Sequence, residues 1–444
     1  MSSTTDTVIK EEYFNFSSTV KRSLFIIGGV GLLLLVAGII MALIGGGHEA
    51  EAGHAAAEAG HAATEAGHAA AEAGEAGHAE FHWYQRLFAN LWINNVYFTG
   101  IAIIGVFFVA FQYAAQAGWS AGLKRVPEAF GAWLPYAGGL MLIVFLLGNH
   151  SLFHWTHDYL YDKSDPRYDE IIDGKSAYLN LPFYLIRMVV YFGAWFWMWR
   201  LIRRESLAED LHGGTQYYYK MMKYSTIFIA IFAVTSSTSA WDWVLSIDTH
   251  WFSTMFGWYV FASWFVAGLA AITLMLVRLR ESGYLMNIGS EHLHDLGKFV
   301  FAFSIFWAYI WLGQFLLIYY ANIPEEAIYF VERMSSSYYA PIFYMILALN
   351  FLLPFLVLMT RDSKRLTIFL KVVCYIVLVG HWFDFYLMIT PGTIWENGGF
   401  GLLEIGCTLV YLAAFLFVVL GTLAKAPMVA KNHPMLQESI HHHT

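Results

Sequence analysis

Charge is scarce in this chain: Asp, Glu, Lys and Arg supply only 13% of its 444 residues, whereas 58% are hydrophobic. A soluble domain usually carries about a quarter charged residues. The shortage therefore excludes an ordinary water-soluble protein. The formal net charge of −8 also gives no reason to expect a nucleic-acid partner.

Cysteine is almost absent, since Cys374 and Cys407 are the only two and both lie inside apolar stretches. The chain has no C-x-x-C-H motif for haem attachment and no group of cysteines that could hold an iron–sulfur cluster. We therefore expect no covalently bound cofactor. If the protein works in electron transfer, the metal centres belong to its partners.

What the chain has instead is ten long apolar stretches, each able to cross a hydrocarbon core of about 30 Å. They are continuously apolar rather than alternating, so they are predicted to be helices and not strands of a barrel. The predicted spans are 24–46, 88–116, 131–149, 181–202, 224–246, 253–277, 299–319, 339–360, 372–390 and 401–423. The fold class is thus an all-α polytopic membrane protein.

Basic residues mark one side of the membrane, because 19 of the 25 lysines and arginines lie in every second gap between the spans. The positive-inside rule places these gaps and both termini in the cytoplasm. The six exceptions are Arg86, Lys163, Arg167, Lys175, Arg187 and Arg333. The first apolar stretch is too long for the apolar core of a signal peptide, so we interpret it as an uncleaved span.

The chain divides into a cytoplasmic segment 1–23, a first span 24–46, a periplasmic loop 47–84, a helical core 85–425 and a cytoplasmic tail 426–444. The loop is a low-complexity repeat in which G-H-A-A-x-E-A recurs at Gly53, Gly60 and Gly67. Such a composition is typical of a solvated, flexible insertion. The seven-residue spacing would also place its histidines on one face of a helix, where they could bind a transition metal.

Polar side chains at membrane depth are costly, so they usually face a bundle interior or a wet cavity. The candidates for a proton pathway or a quinol site are Asp242, His381, Asp384, Arg187, His150, Gln314 and Glu404. A second candidate site in an outer loop comprises His154, His157 and Asp158. The inner half offers mainly weakly polar candidates such as Ser263, Ser304, Tyr309 and Tyr375. We therefore predict a polar cavity that opens outward and narrows near the midplane.

Each candidate has a structural alternative. Asp242 could pair with Arg187 in a buried ion pair instead of carrying protons. His381 and Asp384, three residues apart on one helix face, could form a proton relay or a structural pair. Glu404 could be merely interfacial, and the outer-loop histidines could form part of an aromatic lid rather than a metal site.

Four segments of the chain resemble one protein family. They are 175–195 (KSAYLNLPFYLIRMVVYFGAW), 241–256 (WDWVLSIDTHWFSTMF), 295–326 (DLGKFVFAFSIFWAYIWLGQFLLIYYANIPEE) and 381–386 (HWFDFY). The family is the ActF-type, NrfD-like integral membrane subunit of alternative complex III, a bacterial quinol:cytochrome c oxidoreductase. The resemblance runs in order over residues 85–425 and leaves out the loop 47–84.

The resemblance implies two NrfD-like four-helix bundles with peripheral spans, in the bacterial cytoplasmic membrane. It implies as partners a multihaem cytochrome c subunit, an iron–sulfur subunit, a monohaem cytochrome c, a second NrfD-like subunit, small membrane subunits and lipid. Together they would oxidise quinol and pass electrons to a periplasmic carrier or directly to a terminal oxidase. The second NrfD-like subunit is the better candidate for quinol oxidation, which leaves proton conduction or scaffolding to this chain.

Two other functions stay open. A secondary transporter would use Asp242 and Arg187 as a substrate site. The sequence shows neither an inverted repeat nor a matching pair of spans broken by Gly or Pro, which would support a transporter. A purely structural anchor would hold the periplasmic redox subunits without moving protons.

Overall fold

The structure is a computed structural model that describes residues 11–45 and 82–443, so most of the predicted loop 47–84 lies outside the described residues. Within these ranges ten helices are long and apolar enough to cross a membrane, which confirms the predicted spans. They are α1 Ser18–Gly45, α2 Trp83–Ala114, α3 Leu134–Leu152, α4 Leu181–His212, α5 Thr215–Trp243, α6 Phe256–Glu281, α7 Ser290–Ala321, α8 Tyr339–Val357, α9 Thr367–Ile394 and α10 Leu402–Leu423.

Eight of these helices close into two rings of four. In bundle 1, α2 packs on α3, α3 on α4, α4 on α5, and α5 back on α2. In bundle 2, α6 packs on α7, α7 on α8, α8 on α9, and α9 back on α6. The bundles are joined by α2, which also packs on α6 and α9. Each ring has an interior in which polar side chains are kept from lipid.

Two faces of the molecule follow from the alternating direction of the helices. The basic face carries the loops 115–133, 282–289 and 358–366, and the opposite face carries the loops 153–180, 244–255, 322–338 and 395–401. The two chain ends meet at the basic face, where the Met428 amide donates to the Glu12 carbonyl at 2.8 Å. There α4 continues ten residues beyond its predicted end, and only Gly213 and Gly214 separate it from α5.

Helix α8 is interrupted by a π-helical turn, Ala348–Leu352. Pro354 explains the turn, because it has no amide hydrogen to donate to the carbonyl of Asn350. The amide of Leu353 reaches the carbonyl of Ala348 instead. The π turn directs the side chain of Asn350 toward α9, where it is fully buried.

Helix α1 lies at the periphery and packs along α10 through glycines. A Cβ atom on Gly406 would lie 2.4 Å from the backbone nitrogen of Leu35, and one on Gly38 would lie 2.6 Å from that of Leu403. The two backbones therefore touch, as glycine at a helix interface permits. The other side of α1 is apolar and exposed, as a helix that faces lipid requires.

Replacing Gly406 by Leu is expected to detach α1, because the new side chain cannot fit between the backbones. Cysteines introduced at Gly28 and Ala413 report on the contact, since their Cβ atoms would lie 3.4 Å apart, near the usual disulfide range of about 3.5–4.5 Å. In a background without the native cysteines, the cross-link should form, and Gly406→Leu should abolish most of it. Gly29→Leu is the control, because a Cβ atom there meets nothing within 4 Å. Equal cross-linking in both variants would contradict the packing.

Candidate functional site

In bundle 1 the candidates Arg187 and Asp242 form a bidentate ion pair. Arg187 donates from Nε and Nη2 to the two carboxylate oxygens of Asp242 at 2.7 and 2.9 Å. Tyr191 donates to the same carboxylate at 3.0 Å, and the guanidinium lies 3.9 Å from the centroid of the Tyr178 ring. Asp242 is fully buried and both of its oxygens are bound, which is the geometry of a structural ion pair.

Glu404 is fully buried rather than interfacial. It accepts two hydrogen bonds from Arg86 at 2.7 and 2.8 Å and one from Asn90 at 2.9 Å. It also accepts a bond from the Gly401 amide at 2.8 Å, so it caps the start of α10. The carboxylate therefore fastens α10 to α2. Its arginine partner lies 318 positions away in the sequence, too far for local patterns to indicate the pair.

Bundle 2 brings His381 and Asp384 together with three other side chains. Tyr259 and Trp307 each donate to one oxygen of Asp384, and the bond from Trp307 is 2.8 Å long. The Nδ1 atom of His381 lies 2.9 Å from the Ser263 hydroxyl and 3.7 Å from Asp384. The two predicted relay residues are therefore adjacent but not directly hydrogen-bonded. Both are fully buried in the middle of the bundle.

A small cavity lies between Asp384 and the opposite face, with room for about one water molecule. It is lined by Tyr259, Trp311, Gln314, Tyr329, Phe330, Arg333, Phe343, Leu387 and Met388. Both amide atoms of the candidate Gln314 are buried and have no hydrogen-bond partner among the described residues. Because buried amides need partners, this cavity is suited to hold water. Tyr259 thus contacts the cavity as well as Asp384.

Arg333 connects the cavity to the opposite face. It belongs to the short helix Pro324–Ser335, is fully buried, and donates to Asp248 at 2.9 Å. Its guanidinium lies 3.4 Å from the centroid of the Tyr329 ring. The side chain of Asp248 is 19% exposed, so the polar groups reach the surface here. Beside it, burial and the charge of Asp248 raise the pKa of Glu332 to about 7.

These groups form a continuous polar pathway, which we define as His381, Asp384, Tyr259, the cavity with Gln314 and Arg333, and then Asp248 and Glu332. Of this set the sequence singled out only His381, Asp384 and Gln314. Tyr259 was missed because an aromatic residue in a span resembles ordinary packing, and Asp248 and Glu332 were missed because they lie in gaps between the predicted spans. Arg333 alone gave a signal, as a basic residue in a gap that the positive-inside rule leaves poor in charge.

The outer-loop candidates lie apart from the polar pathway, and so does His150, which was predicted as a candidate for that pathway. His150 is exposed, its ring lies 5.0 Å from that of His157, and His157 lies 5.7 Å from His154. Asp158 follows in a single 3₁₀ turn, Asp158–Tyr161, whose Tyr159 ring packs 5.2 Å from His157. Burial lowers the pKa of His154 and of His157. Among the described residues no three His, Cys, Asp or Glu are arranged to hold a metal ion, and these contacts fit an aromatic lid.

The largest group of buried charges lies at the basic face of bundle 1. It comes from α4 and from the start of the short helix Arg125–Phe130, and its members are the buried Lys124, Arg125, Arg203, Glu128 and Glu209 and the half-buried Asp210. Lys124 donates to Glu209 at 2.8 Å, and Glu128 and Asp210 both bind Arg125. The sequence did not indicate this group, since its members lie outside the predicted spans 88–116, 131–149 and 181–202.

The group was missed because the sequence assigns these residues to gaps between the spans. Residues 426–443 of the tail fold over them, and Asn432 donates to the last carbonyls of α4 at 3.0 and 3.2 Å. Burial, together with the nearby Lys124 and Arg125, lowers the pKa of His433 to about 2. This ring therefore stays neutral beneath the tail and adds no further positive charge to the group.

The predicted candidates thus occupy separate places rather than one outward cavity. Arg187 and Asp242 lie in bundle 1, Glu404 lies between α2 and α10, and His381, Asp384 and Gln314 lie in bundle 2. Comparison with the known protein families and with the curated proteins finds no match for this chain.

Replacing Asp242 by Leu is expected to lower the free energy of unfolding by about 3–5 kcal/mol, because it leaves the Arg187 charge buried and unpaired. The double variant Arg187→Met, Asp242→Leu should recover most of the loss, since both charges are gone. Thermal unfolding in detergent measures the coupling energy between Arg187 and Asp242. Arg187→Met is the second single variant that this double-mutant cycle needs. A double variant as unstable as Asp242→Leu would show that the ion pair is not the cause.

Glu332 should titrate near pH 7, as seen in its carboxyl band by infrared spectroscopy. Burial favours the neutral acid, so the contribution of this group to stability is full below its ordinary pKa of 4.5. That contribution is lost as the pH rises through 7. The carboxyl band should therefore change with an inflection near pH 7. Glu332→Gln should remove this inflection, whereas Glu325→Gln, at an exposed position of the same helix, should keep it. An inflection that survives in Glu332→Gln would assign it to another group.

Proposed function

We propose that the chain is a membrane subunit of a respiratory quinol:cytochrome c oxidoreductase of the alternative complex III type. In this proposal it conducts protons toward the periplasm and leaves the redox centres to its partners. The observation that carries the proposal is the polar pathway through bundle 2. The family resemblance of the four segments supplies the reaction and the partners.

The chemistry of the polar pathway suits proton transfer. Carboxyl, imidazole and phenol groups can each accept a proton and pass it on. Tyr259 connects Asp384 to the cavity, and a water molecule beside Gln314 would connect Tyr259 to the groups around Arg333. Asp248 and Glu332 then offer carboxyl groups at the opposite face, one of them with a pKa near 7. A proton on either of these carboxyl groups can pass directly to solvent.

The size of the cavity favours protons over quinol as the species handled by this chain. Room for about one water molecule does not admit the ring of a quinol. Quinol oxidation then falls to the second NrfD-like subunit, as the resemblance implies. Protons released there, or drawn from the cytoplasm, would use bundle 2 of this chain.

The arrangement of the helices supports this assignment. The resemblance implies two four-helix bundles with peripheral spans, and α2–α5 and α6–α9 close two rings while α1 and α10 lie outside them. If the basic face is cytoplasmic, as the positive-inside rule requires, Asp248 and Glu332 open toward the periplasm. That is the side on which the cytochrome and iron–sulfur partners would sit.

Bundle 1 favours a second role, that of an anchor. Its carboxylate Asp242 is held by Arg187 and Tyr191, and the neighbouring Glu404 is held by Arg86. Ion pairs bound this completely fix the helices rather than exchange protons. We therefore assign scaffolding of the complex to bundle 1 and proton conduction to bundle 2.

Purification through this chain from native membranes in mild detergent tests the assignment to a complex. The preparation should contain c-type haem by its optical spectrum, an iron–sulfur protein, and quinol:cytochrome c activity. A preparation free of haem and of partners would contradict the proposal, and uptake of a solute by the isolated chain would then favour a transporter.

Asp384→Asn and Tyr259→Phe test proton conduction, because each keeps the shape of the side chain and removes a proton-carrying group. Either change should lower proton release per unit time by the reconstituted complex about tenfold or more. Asp165→Asn, in the loop at the opposite face, is the control and should behave as wild type. Normal turnover with normal proton yield in both bundle 2 variants would leave only the anchor role.

A further inference from the structure

One nitrogen of His381 takes no part in the polar pathway. Nδ1 lies 2.9 Å from Ser263 of α6, whereas Nε2 is buried and has no hydrogen-bond partner among the described residues. In either tautomer Nε2 is a donor or an acceptor, so it needs a partner. Because Nδ1 faces α6, Nε2 at the other edge of the ring points away from that helix.

Two other buried polar side chains, on the helices α7 and α8 that pack around α9, also lack partners in the described part of the chain. Ser304 lies one helical turn before Trp307, whose ring packs 5.5 Å from the imidazole, and its hydroxyl is unpaired. Asn350, on the π turn of α8, has neither its amide nitrogen nor its amide oxygen bound. Ser304, Asn350 and His381 are all completely buried.

Gly380 shows how close Asn350 comes to His381. A Cβ atom on Gly380 would lie 2.1 Å from the amide oxygen of Asn350, so this amide presses against the backbone of the residue that precedes His381. A larger residue at 380 would force this amide to shift. The π turn and the glycine together place a polar side chain against α9, one residue before His381.

We propose that His381 Nε2, Ser304 and Asn350 bind a small cluster of internal water molecules. Buried polar groups without protein partners are commonly bound by such waters. The cluster would continue the polar pathway on the basic-face side of His381, which is the one part of this inference that rests on the proposed function. A proton that arrives through the cluster binds Nε2 and forms imidazolium. The ring then releases the proton carried at Nδ1, on the side of Asp384, and becomes neutral again.

The test is a cryo-electron microscopy map of the intact complex at a resolution that shows single waters, combined with proton release by the same preparations. The wild type should show density within hydrogen-bond distance of His381 Nε2. Asn350→Leu and Gly380→Ala should each remove it and slow proton release severalfold. Ser225→Ala is the matched control, because its buried hydroxyl on α5 is also unpaired among the described residues but lies in bundle 1.

The outcomes separate this inference from the proposed function. Wild-type density that disappears in both variants, with unchanged proton release, would keep the water site and contradict its role in conduction. No density beside Nε2 in the wild type would overturn the water site, even if Asp384→Asn still blocks proton release. Slowing by Ser225→Ala equal to that of Asn350→Leu would show that the effect is not specific to this cluster, and would overturn its role.

Discussion

The structure depends on one constraint: a charge that enters the membrane interior must find its partner within the protein. Arginines meet this constraint at the opposite face, where Arg86 binds Glu404, Arg187 binds Asp242 and Arg333 binds Asp248. Each pair joins residues far apart in the sequence and so fixes how the helices meet. The same requirement is met at the basic face by Arg125 and the charges that surround it, which are covered by the chain's own tail.

The two bundles meet the constraint in different ways, and the proposed division between anchoring and proton conduction rests on this difference. In bundle 1 the carboxylate of Asp242 is neutralised by a guanidinium that cannot give up its proton. In bundle 2 the carboxyl of Asp384 accepts from the neutral donors Tyr259 and Trp307. Among the described residues no lysine or arginine binds it. This contrast supports the proposed assignment of proton conduction to bundle 2 and of anchoring to bundle 1.

The sequence predicts the spans well because each span must be a continuous apolar helix, so every residue of the stretch contributes to the signal. It predicts individual sites poorly because pairing is non-local. Glu404 was weighed as interfacial, since nothing near it in the sequence indicates Arg86. The basic residues that do not follow the positive-inside rule could have indicated the partners of the buried carboxylates. Three of them, Arg86, Arg187 and Arg333, are the arginines of the buried pairs, and Lys175 donates to the carbonyl of Thr249 at 2.5 Å.

Tyr259 decides how a proton could pass Asp384. Both oxygens of this carboxyl are occupied, one by the Trp307 indole and one by the Tyr259 hydroxyl. The indole only donates, so it cannot take a proton from Asp384. The hydroxyl donates and accepts, and it also borders the cavity that contains Gln314 and Arg333. Rotation of this one hydroxyl toward the cavity would free an oxygen of Asp384 and open the way outward. His381 can give and receive a proton on the basic-face side of Asp384, and toward the opposite face the group that can do so is Tyr259.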